Sequence, residues 1–352
     1  MNHSNQSKIS MHNFSWTPFD DPISENPAQS KDGDVDLIPA TYRFGPLRDQ
    51  VTVARPDLDF LETELSVEKL NFVNDWMWFV GRPMPPRPLH RQVLLSRSIV
   101  VTEEMDLHLV WTARQKIYLK PIPRFLFSSD FWSSHILCPG TAQYQCANQD
   151  REDCKQRQKL AGCALGFLFS YTALIAYESD YRIAQNEGLL PREVTWPAWR
   201  KFVKYLLENH AYSSINPRYH YGELRLGRLN KIYRYRYGRL WGYTGTTNYN
   251  LYAQFFQDNL ANLAAFLGYV VIILTALQVG LATDQLQPSS AFQAFSYGFT
   301  IFSIIAPIFV TVAILIIFVV AYLVNCYTTK SYHKKRFREI ENSRLDGAKI
   351  LE

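Results

Sequence analysis

The sequence predicts a helix-rich α+β domain facing the cytosol, followed by a C-terminal hairpin of two transmembrane helices. Three observations carry this expectation. Two long runs near the C-terminus lack any charged side chain, mixed helical and strand patterns precede them, and lysine and arginine gather on their outer flanks. The 352 residues, 47% of them hydrophobic, suffice for one sizeable core besides the hairpin.

Residues 1–36 are polar and rich in Ser, Asn, Asp and Pro, the composition of a disordered leader without the apolar core of a signal peptide. Asn2, Asn5 and Asn13 head glycosylation-type triplets, which a cytosolic tail leaves unmodified. The folded domain is expected over 37–245. It opens with helices at "DLDFLETEL" and "SVEKLNFVNDWMWFVG", the second capped by Ser66, ended by Gly81, and burying Leu70, Val73, Trp76 or Met77, and Val80. The proline-rich "GRPMPPRPLH" reads as a rigid connector, although Arg82, Pro85 and Pro88 also have the spacing of an SH3 ligand.

Three strands follow at "RSIVVTE", "DLHLVWT" and "KIYLKP", the last two joined as a hairpin by "TARQ", with Leu107, Leu109 and Trp111 on one side of the second. Helices then return at "SSDFWSSH" and at "TWPAWRKFVKYLLEN", where Thr195 caps and Pro197 occupies the first turn. Between them lies the uncharged run Leu160–Tyr177, which reaches the lower length limit for a membrane span. Its start carries Lys155, Arg157 and Lys159, and a crossing there would leave the later basic stretch on the wrong side, so it reads as a buried helix. A short echo between "YRFGPLR" at Tyr42 and "YHYGELR" at Tyr219 does not extend to a repeat.

Segment 246–260 is juxtamembrane, 261–282 and 299–324 are the spans, 283–298 is a lumenal or external loop, and 325–352 is a basic cytosolic tail. The loop holds no lysine or arginine, whereas Lys330, Lys334, Lys335, Arg336 and Arg338 follow the second span, so both termini are expected in the cytosol. The spans lack the charged groups of transporters and read as anchors. Ala264, Gly268, Ala276 and Gly280 form a small-residue stripe, a surface for close packing on the second span or on another copy, the former favoured.

Just before the spans, "YHYGELRLGRLNKIYRYRYGRLWGY" interleaves Arg225, Arg228, Lys231, Arg234, Arg236 and Arg239 with aromatics and carries one acid, Glu223. Such a stretch suits nucleic acid, a membrane surface or a protein partner. Its closeness to the first span selects the bilayer, with anionic lipid opposite those cations and opposite Lys334, Lys335, Arg336 and Arg338. Leu226, Leu229 and Tyr233 would share one helical face, with Arg225, Arg228 and Lys231 on another.

Catalytic devices are missing from the motifs: no G-x-S-x-G, H-E-x-x-H, P-loop or G-x-G-x-x-G is present. Asp32, Asp34, Asp106 and Asp130 with His90, His108 or His135 define no triad. Cys138, Cys146, Cys154 and Cys163 lack the paired spacing of a zinc site, which argues against a metal, and on the cytosolic side reduced thiols are expected, with no cofactor. The strings "DWMWFVGRPMPPRPLH", "CALGFLFSYTALIAYESDYRIAQ", "INPRYHYGELRLGRLNKIYR" and "LTALQVGLATD" resemble an uncharacterised fungal family of two-span membrane proteins, over about Pro39 to Arg338. The resemblance implies no activity and carries over no functional residue. The subtilisin-like protease label that some members bear finds no support, since "GTTN" at Gly245–Asn248 lacks the nucleophilic serine. The expectation is a non-enzymatic adaptor or organiser with the bilayer and an unidentified protein as partners and no nucleic acid. The alternative is a membrane-tethered hydrolase or lipid-modifying enzyme.

Overall fold

The computed structural model describes residues 37–44, 50–137, 150–208, 213–238, 242–243 and 251–349. The predicted leader and Arg239 lie outside them. The chain divides into two compact units, Met1–Tyr243 and Thr244–Glu352. In the first, the order is β1 (Thr41–Phe44), β2 (Gln50–Val53), α1 (Leu58–Leu65), α2 (Glu68–Asn71), α3 (Met77–Val80), α4 (Leu89–Leu94), β3 (Ser98–Val101), β4 (Val110–Trp111), β5 (Lys116–Leu119), α5 (Ser129–Phe131), α6 (Asp150–Leu174), α7 (Glu178–Asn186), α8 (Trp196–Glu208), β6 (Leu224–Arg225) and α9 (Leu226–Tyr235). The second holds α10 (Leu251–Leu281) and α11 (Ser290–Lys349). The architecture is thus a helix-rich α+β unit followed by two apolar helices.

Asp57 caps α1 by accepting from Phe60 N at 2.9 Å, and Phe60, Leu61 and Leu65 turn inward. The continuous helix expected from Ser66 to Gly81 is instead broken. Ser66 is extended at the end of α1, donating its N–H to Glu62 O, and Val67 precedes α2 without a side-chain cap. The chain leaves helical geometry at Val73 (φ −108°, ψ 19°) and passes through a 3₁₀ turn, Asn74–Trp76, before α3. Asn71, Asn74 and Asp75 compete locally for backbone hydrogen bonds and weaken a long helix there. The predicted inward face survives the break: Leu70, Val73, Met77 and Val80 are buried, and Met77, not Trp76, takes the shared position.

β3, β5, β4 and β6 form one sheet in that order, with β3 parallel to β5, β5 antiparallel to β4, and β4 parallel to β6. Thr112–Gln115 joins β4 to β5 as expected, with Gln115 at φ 58° closing the turn. The second predicted strand shrinks to Val110–Trp111, because Met105–Leu107 is a 3₁₀ turn and Leu109 has φ 64°. The expected alternation therefore fails, and the His108 side chain is drawn into the core. β1 and β2 pair antiparallel, Thr41 opposite Val53, a hairpin the sequence pattern did not reveal. The echo segments differ: Tyr42 lies in a strand and Tyr219 in the 3₁₀ turn Pro217–His220.

The run beginning at Leu160 is a core helix. From Leu160 to Tyr171 α6 is buried without interruption, and Gly166 makes this possible, since a Cβ there would stand 2.3 Å from the Tyr219 ring. Ser170 and Thr172 return their hydroxyl protons to the carbonyls of Phe167 and Phe169. Thr195 caps α8 as expected, accepting from Ala198 N, and Trp199 of α8 donates its indole N–H to Ile175 O. The expectation of reduced thiols fails at Cys154, which is disulfide-bonded. Ligand spacing bears on metal sites and says nothing of which sulfurs the fold brings together. Cys163 is a free thiol whose burial pushes it up to about 12.

In the second unit, α10 and α11 each carry a stretch long and apolar enough to cross a membrane, Ala264–Leu281 and Ser290–Ile316, with mean hydropathies of 2.2 and 2.6. α11 starts inside the expected loop, with Ser289 accepting from Phe292 N, and continues through Pro307 deep into the expected tail. Nothing in "SAFQAFSYGF" breaks a helix, so the apolar run is extended backwards. Val270, Leu277 and Gly280 are buried on α10, as are Ser296 and Ser303 on α11. Of the small-residue stripe, Gly280 meets the second helix, a Cβ there falling 2.6 Å from Phe292 Cζ. Ala264, Gly268 and Ala276 are exposed.

Candidate functional site

The basic stretch is organised around its one acid. Glu223 precedes β6, and its carboxylate accepts from Arg97 Nη1 at 2.6 Å, Arg87 Nε at 2.8 Å and Gln92 Nε2 at 2.7 Å, with a further bond from Arg87 Nη2. Burial pushes this carboxyl up, but the hydrogen bonds from Arg87, Arg97 and Gln92 outweigh it and hold it at about 2. The proline-rich connector is pinned here. Gly222 lies so close beneath it that a Cβ would stand 2.6 Å from Met84 O, and Arg87 within it is the Glu223 partner.

α9 follows directly. Leu226, Leu229, Ile232 and Tyr233 are buried, which gives the apolar face read from the sequence together with one further residue. Tyr233 donates its hydroxyl to Lys69 O at 2.6 Å, tying α9 to α2. The cations divide into two groups. Arg228 is turned onto the domain, donating Nη1 to Phe79 O at 2.6 Å with its guanidinium 5.0 Å from the Phe79 ring centre. Arg225 stands 5.1 Å from the Trp111 ring centre, which Arg97 also covers. Arg234 is half-buried, its Nε without a hydrogen-bond partner among the described residues. Lys231 and Arg236 are exposed. Lys334 and Arg338 are exposed on α11, and Lys335 and Arg336 belong to the same helix.

Beside the cations of α9 lies an aromatic surface that the sequence reading did not isolate. Phe72 packs on Tyr237 with ring centres 4.5 Å apart, and Trp76 stacks on Trp78, which meets Phe79 edge-on at 6.0 Å. The signal was present in "NFVNDWMWF", where only one of two adjacent large residues can occupy each inward position.

Other polar clusters are structural. His108 lies 2.9 Å from Ser170 Oγ, a spacing suggestive of an activated serine. Yet Lys120 N donates to His108 Nδ1, so Nε2 carries the proton and donates to Ser170, whose own proton goes to Phe167 O. Burial, reinforced by Arg218 and Lys120, pushes the His108 imidazole well below its usual range, which keeps it neutral. Arg218 donates to Tyr221 O, Gly222 O and His108 O, and burial lowers it to about 10.

Asp180 is wholly buried and accepts from the backbone N–H of His90, Ala176 and Tyr177 and from His90 Nδ1 at 2.8 Å. No hydroxyl or thiol is bonded to His90 Nε2 among the described residues, so the pair fastens α4 to α7 without a visible nucleophile. Asp106 binds Lys69 at 3.2 Å, Asp130 lies in the short α5, and Asp32 and Asp34 lie outside the described residues. A shallow groove of about 370 Å³ runs between the end of α6 and α8, floored by Ile175 and Trp199 and edged by Arg200 and Lys204. Among the described residues no group of three His, Cys, Asp or Glu side chains is placed to hold a metal ion.

No curated protein and no solved structure matches the chain. A family model does, over residues 57–307, a range that takes in the Glu223 cluster, α9, all of α10 and the start of α11. The chain belongs to that family, DUF6601, a family of unknown function.

Proposed function

We propose that the protein is anchored in a membrane by α10 and α11 and keeps its first unit and basic tail on the cytosolic side as a non-enzymatic adaptor or organiser. The observation that carries this reading is the outward face of the apolar pair. Val271, Ile272, Val279, Ile304, Ile308 and Phe309 stand exposed, a surface that water does not tolerate and acyl chains do. The turn between the helices, without lysine or arginine, and the cations of the C-terminal half of α11 support the orientation. The resemblance to fungal two-span proteins supports the anchor. Lys231 and Arg236, with Lys334, Lys335, Arg336 and Arg338, then face anionic lipid.

Acceptor sites for N-glycosylation introduced into the turn at 283–289 should be modified in microsomes, while Asn2, Asn5 and Asn13 stay bare. The reverse pattern overturns the orientation. One observation favours that reverse arrangement: the Cys154 disulfide belongs with an oxidising compartment. In that second reading the first unit is lumenal or external and its glycosylation triplets are used. The same experiment separates the two.

A further inference from the structure

We infer that Phe72, Trp76 and Trp78 form an interfacial wedge that enters the headgroup layer of an anionic bilayer beside α9. The inference rests on the membrane-anchored reading above and extends it from charge to insertion. These rings are exposed to 57%, 39% and 64%, although Val73, Met77 and Val80 between and beside them are buried. The contrast with the core tryptophans is chemical as well. Trp132 and Trp199 donate their indole N–H groups to Leu126 O and Ile175 O, whereas those of Trp76 and Trp78 have no partner among the described residues. An apolar ring with an unspent N–H suits a headgroup boundary, which offers hydrocarbon to one and ester or phosphate oxygens to the other.

The surroundings specify lipid as the occupant. Arg228 covers the ring next to Trp78, Lys231 and Arg236 are exposed on α9, and Arg82 is exposed just past α3; Glu68 and Asp75 are the acids of the same stretch. Cations exceed acids, complementing a negative surface. Tyr235 and Tyr237 extend the aromatic rim, Tyr237 through its contact with Phe72. The chain leaves the first unit at this edge. Tyr243 donates its N–H to Asn230 Oδ1 at 2.9 Å and packs on Tyr233, and α10 starts at Leu251.

The test uses the full chain reconstituted in vesicles of phosphatidylcholine and phosphatidylserine whose acyl chains carry bromine near the headgroup. Residues 261–324 contain no tryptophan, so the spans themselves contribute no indole signal. Tryptophan emission should be quenched, and Trp76→Phe/Trp78→Phe should lose most of that quenching while keeping the wild-type circular dichroism. Quenching unchanged in the double variant overturns the wedge. So does full access of iodide to both rings in vesicles, which would assign the surface to a protein partner. Dependence on Trp76 and Trp78 that is the same without phosphatidylserine keeps insertion and removes the anionic preference. Sensitivity to phosphatidylserine and to Lys231→Glu/Arg236→Glu, without any effect of the tryptophans, keeps the charge reading and removes the wedge.

Discussion

Arg97 donates Nη1 to Glu223 Oε2 at 2.6 Å across 126 positions of sequence, and both side chains are nearly closed to water. The contact joins the start of β3 to the entrance of β6 and α9, so the basic edge is held by an acid that opposes its own sequence context.

Glu223→Gln leaves the Arg97 charge buried without a counter-ion and should cost about 3 kcal/mol. Denaturant unfolding of the full chain, followed by the fluorescence of the core tryptophans, measures this. The pH dependence has a definite sign. A carboxyl held at about 2 against an ordinary 4.5 contributes its full stabilisation above pH 4.5 and loses it as pH falls towards 2. The loss across that window is about 3 kcal/mol and should vanish in the glutamine variant.

His108 acts in a higher range. Its folded-state pKa is lowered well below 6.5, so below pH 6.5 the unfolded chain takes up a proton that the folded core refuses. Stability should fall by up to about 1.4 kcal/mol per pH unit on acidification from 6.5. Thermal unfolding of His108→Asn between pH 7 and 5 should show a flatter slope from a lower starting point.

Two glycines predict opposite outcomes. Gly166→Ala drives a methyl into the Tyr219 ring and should destabilise by roughly 2 kcal/mol. Gly227, in the first turn of α9, has open space around the same added carbon, and Gly227→Ala should stabilise by about 0.5 kcal/mol. Melting midpoints of the two variants decide both.

Within the apolar pair, Gly280→Val should lower the melting midpoint in micelles by meeting Phe292, and Phe292→Ala should restore part of it. Gly268→Val should leave the midpoint within error, because nothing stands within 4 Å of its added carbon.

Long periodic or uniformly apolar features were legible in the sequence. α6, α8, α10 and the buried face of α9 all follow from residue spacing, because burial selects the side chain at each turn whatever the helix ends do. Some short elements were not, the β1–β2 pair among them. The turn at Leu109 goes with the burial of His108, whose partner Ser170 lies 62 positions away, and the break at Val73 comes from local competition by Asn71, Asn74 and Asp75 that apolar spacing does not register. The basic stretch shows the limit most clearly. Composition revealed its charge, but only the fold divides Arg228, spent on Phe79, from Lys231 and Arg236, which remain exposed. Of the wedge residues the spacing offers only Trp76 to the buried face, as the alternative to Met77, and volume in the core decides between them.

The continuation of α11 to Lys349 turns the tail into a ruler. Lys330, Lys334 and Arg338 recur every four residues and follow one side of it. At 1.5 Å per residue, Lys330 stands about 9 Å and Arg338 about 21 Å along the axis from Val324. At physiological salt the Debye length is about 8 Å, so an upright rod lets a charged surface sense Lys330 and hardly Arg338. In the proposed membrane-anchored arrangement the tail's attraction to lipid would be graded by distance, and only tilting would recruit all three cations at once.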